Sequence, residues 1–274
     1  MTASHCLRRC LLAFAALSLA ACSVVPRPTD ESYAPQYNQP GKDVVWWPTP
    51  ETLVDKMLDM AEVTPDDYLI DLGSGDGRTV VAAAKRGARA LGIEFNSDMV
   101  ALSRRNIVNA MVGDKATIVQ GDIFRSDLTQ ATVISMFLLP QLNLRLRPSL
   151  LSLKAGIRIT SNSFDMDDWE PDATAKLGCA QYCTAYLWIV PAQVQGKWQS
   201  AQGELELRQK FQKLNGTLRE GNLALPLSDG KLHGESISFA VSGAEYRGKV
   251  HQGTIEGSVT AGGVTSAWRA KRQD

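Results

Sequence analysis

The sequence is poor in the residues that metal centres and nucleic-acid surfaces need. It has only three histidines, His5, His233 and His251, and their wide separation predicts no metal cluster. Its 29 basic and 29 acidic side chains leave a formal net charge of +0 at pH 7, whereas nucleic-acid-binding domains usually carry a basic excess. The acidic stretch at 165–168 is interpreted as a solvated loop. We therefore expect neither a metal ion nor a nucleic-acid partner.

The longest apolar run near the start of the chain is too short to cross a bilayer. It extends from Leu11 to Ala21 and follows Arg8 and Arg9, so residues 1–21 are predicted to be a secretory signal peptide. An ordinary N-terminal helix is the alternative. The end of this segment, Leu19-Ala-Ala-Cys22, resembles the bacterial lipobox, in which diacylglycerol is attached to the cysteine before cleavage. A plain secreted protein is the alternative to a lipoprotein.

The lipobox resemblance implies a membrane anchor at the mature N-terminus. Cys22 would carry the diacylglycerol and a further acyl chain such as palmitate, and Ser23 favours the periplasmic face of the outer membrane in a bacterial cell envelope. Residues 22–42 lack apolar periodicity and are predicted to be an extended tether. Cys179 and Cys183 would be the remaining thiols, which an oxidising compartment can join. Two reduced, buried thiols are the alternative.

Apolar strands and helices alternate regularly in the middle of the chain. A helix is predicted to start near Thr49-Pro50-Glu51. Predicted strands and helices follow in alternation, the strands at 68–72, 90–94, 116–120, 132–138 and 158–163, and the helices at about 77–86, 97–111 and 141–152. This order predicts an α/β domain over 43–191, with a parallel sheet, helices on both faces and ligands at the carboxyl ends of the strands.

The helical pattern ends at Pro191. Short alternating strands separated by glycines continue to the last residue, which predicts a small all-β domain over 192–274. An apolar-x-Gly repeat recurs at 214–216, 232–234, 246–248 and 255–257. We expect a meander of hairpins that forms a small sandwich or a partly closed barrel. The sequence assigns this domain no ligand.

A glycine turn directly follows the first strand of the α/β domain. In Leu69-Ile-Asp-Leu-Gly-Ser-Gly-Asp-Gly-Arg78 the glycines let the backbone turn sharply and approach a ligand. A dinucleotide fingerprint would have its third glycine where this chain has Arg78, and the sequence has no Tyr-x-x-x-Lys pair, so an NAD-dependent dehydrogenase is disfavoured. A turn used only for packing is the alternative.

Two further acids lie where a nucleoside would need them. Glu94 ends the second predicted strand about 20 residues past the turn, where a carboxylate can accept hydrogen bonds from both ribose hydroxyls. Asp122 follows the third strand and can accept from an adenine amino group, with Ile123 and Phe95 against the purine. The predicted cofactor-binding residues are Asp71, Gly73, Ser74, Gly75, Gly77, Glu94, Asp122 and Ile123.

The order of these parts over residues 64–163 resembles the Rossmann-like domain of class I S-adenosylmethionine methyltransferases, in which Asp71 would orient the methionine moiety. A narrower resemblance, to small protein-lysine methyltransferases of archaea and mitochondria, rests on four segments: 46–50, 71–78, 135–143 and 146–151. It implies that Trp47, Pro48 and Thr49 fold over the cofactor.

The same resemblance implies that the turn Phe137-Leu-Leu-Pro140 lines the methyl-transfer channel. Ordinary packing is the alternative both for this turn and for the tryptophans at 46 and 47. Asn162 stands where the family usually has a histidine. The family also has a hairpin at 180–182, which would bring the two cysteines within bonding distance.

Two functions are consistent with these features. The first is an active methyltransferase that uses S-adenosylmethionine to methylate a protein lysine or a small amine, and the intact acid and glycine set favours it. The second is a non-enzymatic envelope lipoprotein whose Rossmann-like domain is a binding module or scaffold. Cys22 favours the second, because S-adenosylmethionine is made in the cytoplasm. We name no general base.

Overall fold

The structure is a computed structural model that describes residues 33–273. The predicted signal peptide, the predicted lipidation site Cys22 and residues 23–32 of the predicted tether lie outside the described residues. Within 33–273, no helix is both long enough and apolar enough to span a bilayer.

The first part of the described chain is an α/β unit built on a seven-stranded sheet. Its elements are α1 (Glu51–Met60), β1 (Tyr68–Leu72), α2 (Arg78–Lys85), β2 (Arg89–Glu94), α3 (Ser97–Asn109), β3 (Ala116–Gln120), β4 (Val133–Met136), α4 (Pro140–Leu151), β5 (Arg158–Asn162), β6 (Ala173–Lys176) and β7 (Thr184–Ile189). The strand order is β3-β2-β1-β4-β5-β7-β6. Strands β1 to β5 are parallel, and β7 is antiparallel to both β5 and β6. The predicted Rossmann-like α/β fold is confirmed.

The central strands are buried on both faces because helices cover both sides of the sheet. Successive side chains of a strand point to opposite faces, and in β1 Leu69 packs with α2 and α3 residues such as Val80 and Val100. The next residue, Ile70, packs on the other face with Leu146 of α4. This alternation explains why the central strands appear in the sequence as continuous apolar runs.

The predicted tether does not extend as far as residue 42. Tyr33 donates a hydrogen bond through its hydroxyl to the Met99 sulfur at 3.4 Å, and the backbones of Gln39 and Trp46 are joined by a 2.8 Å bond in a short hairpin-like turn. The ring of Tyr37 lies 5.7 Å from that of Trp46. The sequence gives no sign of this, because one irregular turn has neither helical nor strand periodicity.

The second part of the described chain is a closed antiparallel barrel of eight strands. Its strands are β8 (Gly196–Ser200), β9 (Gly203–Lys210), β10 (Lys213–Glu220), β11 (Leu223–His233), β12 (Ser236–Val241), β13 (Ala244–His251), β14 (Thr254–Ala261) and β15 (Val264–Arg272). The expectation of a sandwich or a partly closed barrel is therefore corrected. The barrel closes because β15 pairs with β8, with Ala270 opposite Ser200 and Arg272 opposite Trp198.

The repeated glycines mark places where neighbouring barrel strands come very close. A Cβ built on Gly257 would collide with the carbonyl oxygen of Arg247, and one on Gly216 would collide with that of Glu206. Only glycine fits at such positions. The apolar residues of the repeat face inward, where the aromatic rings of Phe239, Tyr246 and Trp268 pack on each other at 4.8 to 5.6 Å.

One turn of the barrel packs on the loop that follows β5. Phe211 stacks on the buried Trp169 with ring centroids 5.8 Å apart. The side chain of Gln212 donates to the Glu170 carbonyl at 2.7 Å, and Lys210 pairs with Asp168 at 3.1 Å. The barrel thus holds the loop 163–172, whose first residues lie near the pocket described next.

Candidate active site

A pocket lies at the carboxyl ends of β1, β2 and β4, the edge at which parallel α/β sheets bind ligands. The segment 39–49, which we call the strap, also lines this pocket. Of the residues predicted to bind a cofactor, seven line this pocket: Asp71, Gly73, Ser74, Gly75, Glu94, Asp122 and Ile123.

Gly77 lies outside this lining. It precedes α2 with a φ of 79°, and a Cβ there would approach the Cβ of Ser103 to 3.1 Å. The hydroxyl of Ser103 donates to the Gly75 carbonyl at 2.6 Å. The third glycine of the turn therefore allows α3 to pack against the loop, which is a structural role rather than the predicted contact with a ligand.

Asp71 is a buried carboxyl at the end of β1. The hydroxyl of Ser135 donates to its Oδ1 at 2.6 Å, and in the described chain no donor reaches its other oxygen. Burial raises the pKa of Asp71 to about 7, and the negative charges of Glu94 and Asp76 add to the rise. A carboxyl with this environment becomes fully charged when a cation binds beside it.

The glycine turn is tightly enclosed. A Cβ on Gly75, whose φ is 54°, would lie 3.2 Å from the indole nitrogen of Trp46, so a side chain at residue 75 would crowd the strap. Arg78 fixes the other end of the strap, since its Nη1 donates to the Thr49 carbonyl at 2.9 Å. The hydroxyl of Ser74 is buried and has no partner in the described chain.

Glu94 has a double role at the end of β2. Its Oε2 accepts from the Gly75 amide and its Oε1 from the Asn96 amide, each at 2.9 Å. Each carboxylate oxygen can accept a second bond. The side chain therefore holds the glycine turn in place and keeps acceptor capacity for two ligand hydroxyls.

Asp122 is paired with a residue that the sequence did not single out. Its Oδ2 accepts from the Lys42 ammonium at 2.9 Å, and the same ammonium lies 4.4 Å from the centre of the Phe95 ring. The hydrogen bonds from Lys42 and the Phe124 amide lower the pKa of Asp122. The predicted adenine-binding residues are thus together, with Lys42 of the strap beside them.

Trp47 and Phe137 line the pocket and have further aromatic neighbours. Tyr182, from the hairpin between β6 and β7, lies 5.5 Å from Trp47 and 5.3 Å from Phe137. Phe164, from the loop after β5, lies 5.8 Å from Tyr182 and 6.1 Å from Phe137. We call these four residues the aromatic box. Phe164 and Tyr182 were missed because nothing local in the sequence shows that two distant loops meet.

Asn162 contacts the strap from the end of β5. Its Nδ2 donates to the Thr49 hydroxyl at 3.1 Å, and both side chains are buried. Its Oδ1 is buried without a donor in the described chain. Asn162 therefore helps to hold the strap in place through its hydrogen bond to Thr49.

The two cysteines of the β6–β7 hairpin are joined in the structure. Cys179 and Cys183 form a disulfide with a Cα–Cα distance of 5.7 Å. A turn between the two cysteines is needed for this bond, because an extended strand would hold them about 13 Å apart.

The residues present fit S-adenosylmethionine. Its cationic amine suits the unpaired oxygen of the buried Asp71, and its ribose hydroxyls suit the remaining acceptor sites of Glu94. The buried Ser74 hydroxyl, which has no partner in the described chain, lies in the same glycine turn and lines the same pocket.

Comparison with known proteins points to the same cofactor. Residues 71–173 match the family described as the ANTKMT methyltransferase domain. A protein-lysine N-methyltransferase of Saccharolobus islandicus is 39% identical over 152 residues, which cover 54% of this chain and 94% of that protein. The adenine nucleotide translocase lysine N-methyltransferase of Mus musculus is 34% identical over 112 residues, covering 40% of this chain. The chain thus spans nearly all of the archaeal relative but only 49% of the mouse protein.

A solved structure is similar over the same part of the chain. The RNA methyltransferase from Salinibacter ruber, crystallised with S-adenosyl-L-homocysteine, is 43% identical with a TM-score of 0.52, and the match covers 54% of this chain and 96% of that one. These matches and the pocket together show that the cofactor is S-adenosylmethionine. The chain belongs to the protein-lysine N-methyltransferase family of class I S-adenosylmethionine-dependent methyltransferases.

Proposed function

We propose that this protein transfers a methyl group from S-adenosylmethionine to the side-chain amine of a protein lysine. The observation that carries the proposal is one pocket that is lined both by the acids Asp71 and Glu94 and by Trp47 and Phe137 of the aromatic box. The acids suit the cationic and hydroxyl groups of the cofactor. The aromatic side suits a long apolar side chain with an amine at its tip.

The cofactor, when bound, supplies an electrophilic methyl group. The chain's own residues then have two tasks, which are to align the incoming amine and to exclude water. Leu138 is buried beside Gly73, and Phe137 and Trp47 form the adjoining wall. The rings can attract the ammonium as it enters, whereas desolvation beside the buried Leu138 disfavours the charged form and lowers the pKa of the lysine, which increases the fraction of neutral amine that can attack.

The test is a methyl-transfer assay with radiolabelled S-adenosylmethionine. The purified protein is incubated with a cell-envelope protein extract, with the same extract after its lysines have been acetylated, and with total RNA, because the Salinibacter relative is described as an RNA methyltransferase. We expect label on lysine in the first extract only, with a mass increase of about 14 Da per methyl group located by mass spectrometry. Label on RNA, or equal labelling of the acetylated extract, would contradict the proposal.

The cofactor site has its own matched pair of variants. Glu94→Ala removes the acceptor for the ribose hydroxyls, so we expect affinity for S-adenosylmethionine to fall by about 1.5 to 3 kcal/mol in calorimetry. Asp98→Ala is the control, because Asp98 is an exposed acid in the first turn of α3 and lies outside the pocket lining. Equal effects of the two changes would remove Glu94 from the site.

We further propose that residues 1–21 are a signal peptide and that Cys22 is the lipid-bearing N-terminus, which would locate the protein at the bacterial cell envelope. The support is the lipobox-like Leu19-Ala-Ala-Cys22. S-adenosylmethionine is made in the cytoplasm, so the precursor and the lipidated form should be assayed separately. The relatives described above are all named methyltransferases, and none supports the alternative of a non-enzymatic scaffold.

A further inference from the structure

Tyr182 is the member of the aromatic box that contacts all the others. Its ring lies within 5.3 to 5.8 Å of Trp47, Phe137 and Phe164. Two of these, Trp47 and Phe137, line the cofactor pocket. Tyr182 is 37% exposed, so it forms the outer side of the box, between the pocket and solvent.

The position of Tyr182 depends on the hairpin that carries it. Its backbone φ is 54°, a left-handed conformation that is unfavourable for residues other than glycine. The neighbouring residues Ala180 and Gln181 are exposed, so packing restrains them little. The restraints close to Tyr182 are the disulfide between Cys179 and Cys183 and the 2.9 Å bond from the Leu177 amide to the Cys183 carbonyl.

A box of four rings suits one class of acceptor. Aromatic faces attract an ammonium group through cation–π interaction, and they pack against a methylene chain. Lysine combines both features, whereas a strongly polar acceptor would lose hydrogen bonds to water against the rings.

We propose that Tyr182 is a specificity-determining residue that closes the outer side of the lysine channel, and that the Cys179–Cys183 disulfide is the device that positions it. The oxidised protein is then the form that binds the acceptor lysine well. This inference rests on the proposed function, since it names a residue that selects the substrate of the same site.

The experiment compares Tyr182→Phe, Tyr182→Ala and the double variant Cys179→Ser with Cys183→Ser. The probe is N-acetyl-lysine methylamide, titrated in the presence of saturating S-adenosylhomocysteine. We expect Tyr182→Ala and the double variant to bind the probe about three- to tenfold more weakly. Tyr182→Phe should keep the wild-type affinity because the ring remains, and the affinity for S-adenosylhomocysteine should stay within about twofold throughout.

Dithiothreitol tests the disulfide without a mutation. It reduces the bond to two thiols and is itself oxidised to its cyclic disulfide. We expect it to weaken probe binding by the wild type to the level of the double variant and to leave the double variant unchanged. Gln181→Ala, an exposed position in the same hairpin, is the control and should bind like the wild type. In methylation assays with a lysine peptide, the KM for the peptide should rise in Tyr182→Ala, in the double variant and in the reduced wild type, and kcat should change little.

The outcomes separate this inference from the proposed function. Wild-type affinity in Tyr182→Ala would overturn the role of the ring, and wild-type affinity in both the reduced protein and the double variant would overturn positioning by the disulfide. If the wild type binds S-adenosylhomocysteine but neither binds nor methylates lysine, the proposed function fails and the inference fails with it. Unfolding midpoints within a few degrees of the wild type show that each variant is folded.

Discussion

Asp71 is a carboxyl whose charge is set by what binds beside it. In the free protein it is buried, and its pKa is raised to about 7. A cation held against its unpaired oxygen favours the charged form and lowers the pKa again. Binding of the cation therefore releases a proton from Asp71 below about pH 7, and the affinity for the cation falls as the pH drops through 7.

We expect the affinity for S-adenosylmethionine to be lower at pH 6 than at pH 8, by at most about tenfold per pH unit. Asp71→Asn should weaken binding at pH 8 and lose the part of the pH dependence that comes from the carboxyl. Calorimetry of both proteins at pH 6, 7 and 8 makes the comparison, since the titration of the ligand itself is common to both. Parallel pH profiles would show that Asp71 does not contact the cation.

Cys22 is the residue on which the proposed lipid anchor depends, because diacylglycerol is attached through a thioether to the cysteine sulfur. Cys22→Ser should abolish incorporation of a fatty-acid analogue in growing cells and release the protein from the membrane fraction. Cys10→Ser is the matched control, because Cys10 lies within the predicted signal peptide. Equal labelling of the wild type and Cys22→Ser would exclude lipidation at this position.

At the residue scale, the sequence is informative where a side chain acts next to its own strand end. Asp71, Glu94 and Asp122 each lie at or just after the end of a predicted strand, and all three line the pocket. Lys42 could not be found in this way, because it reaches Asp122 from 80 residues away in the chain. Tyr182 was equally hidden, since its partners come from three other segments.

Among the elements, the strands of the α/β unit are tied together at their amino ends by Asp67. Its Oδ1 accepts from the Thr132 hydroxyl at 2.7 Å and from the Arg158 guanidinium, and its Oδ2 accepts from the Thr64 amide at 2.8 Å. Burial alone would raise the pKa of Asp67, but the bonds from Thr132, Thr64 and Arg158 outweigh it and hold the pKa below its usual value. Asp67 thus joins the loop before β1 to the starts of β4 and β5.

Asp67→Asn should lower the free energy of unfolding by about 2 to 4 kcal/mol at pH 7, because it leaves the Arg158 guanidinium without its anionic partner. A carboxyl with a lowered pKa stabilises the fold above about pH 4 and loses this effect as the pH falls through its folded pKa. The difference between the two proteins should therefore shrink as the pH falls below about 4. Urea denaturation checks this, with the exposed Asp66→Asn as control. A difference that is the same at pH 7 and pH 3 would contradict the assignment.

The elements also show where periodicity fails as a guide. The strands at 68–72 and 116–120 are predicted to the residue, and 158–163 to within one residue. In the barrel, Gly234, with a φ of 58°, turns the chain between β11 and β12, although apolar and polar residues alternate on both sides of it. The strand β8 has a weak local signal, because Trp198 is its single large apolar residue.

For the molecule as a whole, the barrel supports the methyltransferase unit through the loop after β5. Phe211 stacks on Trp169, and the Arg147 guanidinium lies 5.4 Å from the centre of the Phe211 ring. The same loop carries Phe164 to the aromatic box. The barrel therefore has a physical connection to the substrate side of the pocket, although it contributes none of the pocket-lining residues.

Phe211→Ala should lower the free energy of unfolding by about 2 kcal/mol, less than for a fully buried phenylalanine because the side chain is half-buried. Hydrogen exchange should quicken in the loop 163–172 and remain unchanged in β1. Val264→Ala is the control, because Val264 is 71% exposed on the barrel surface. Unchanged exchange in the loop would show that the barrel does not support it.

The pairing of β8 with β15 also sets the order in which the chain can fold. The sheet of the α/β unit is complete once Ile189 has been synthesised, whereas the barrel cannot close until Arg272 is available. Contacts so distant in sequence form slowly, and meanwhile β8 and β14 each present an open strand edge to neighbouring chains. We therefore expect a chain that lacked only β15 to contain every pocket residue and yet to aggregate through these two open edges.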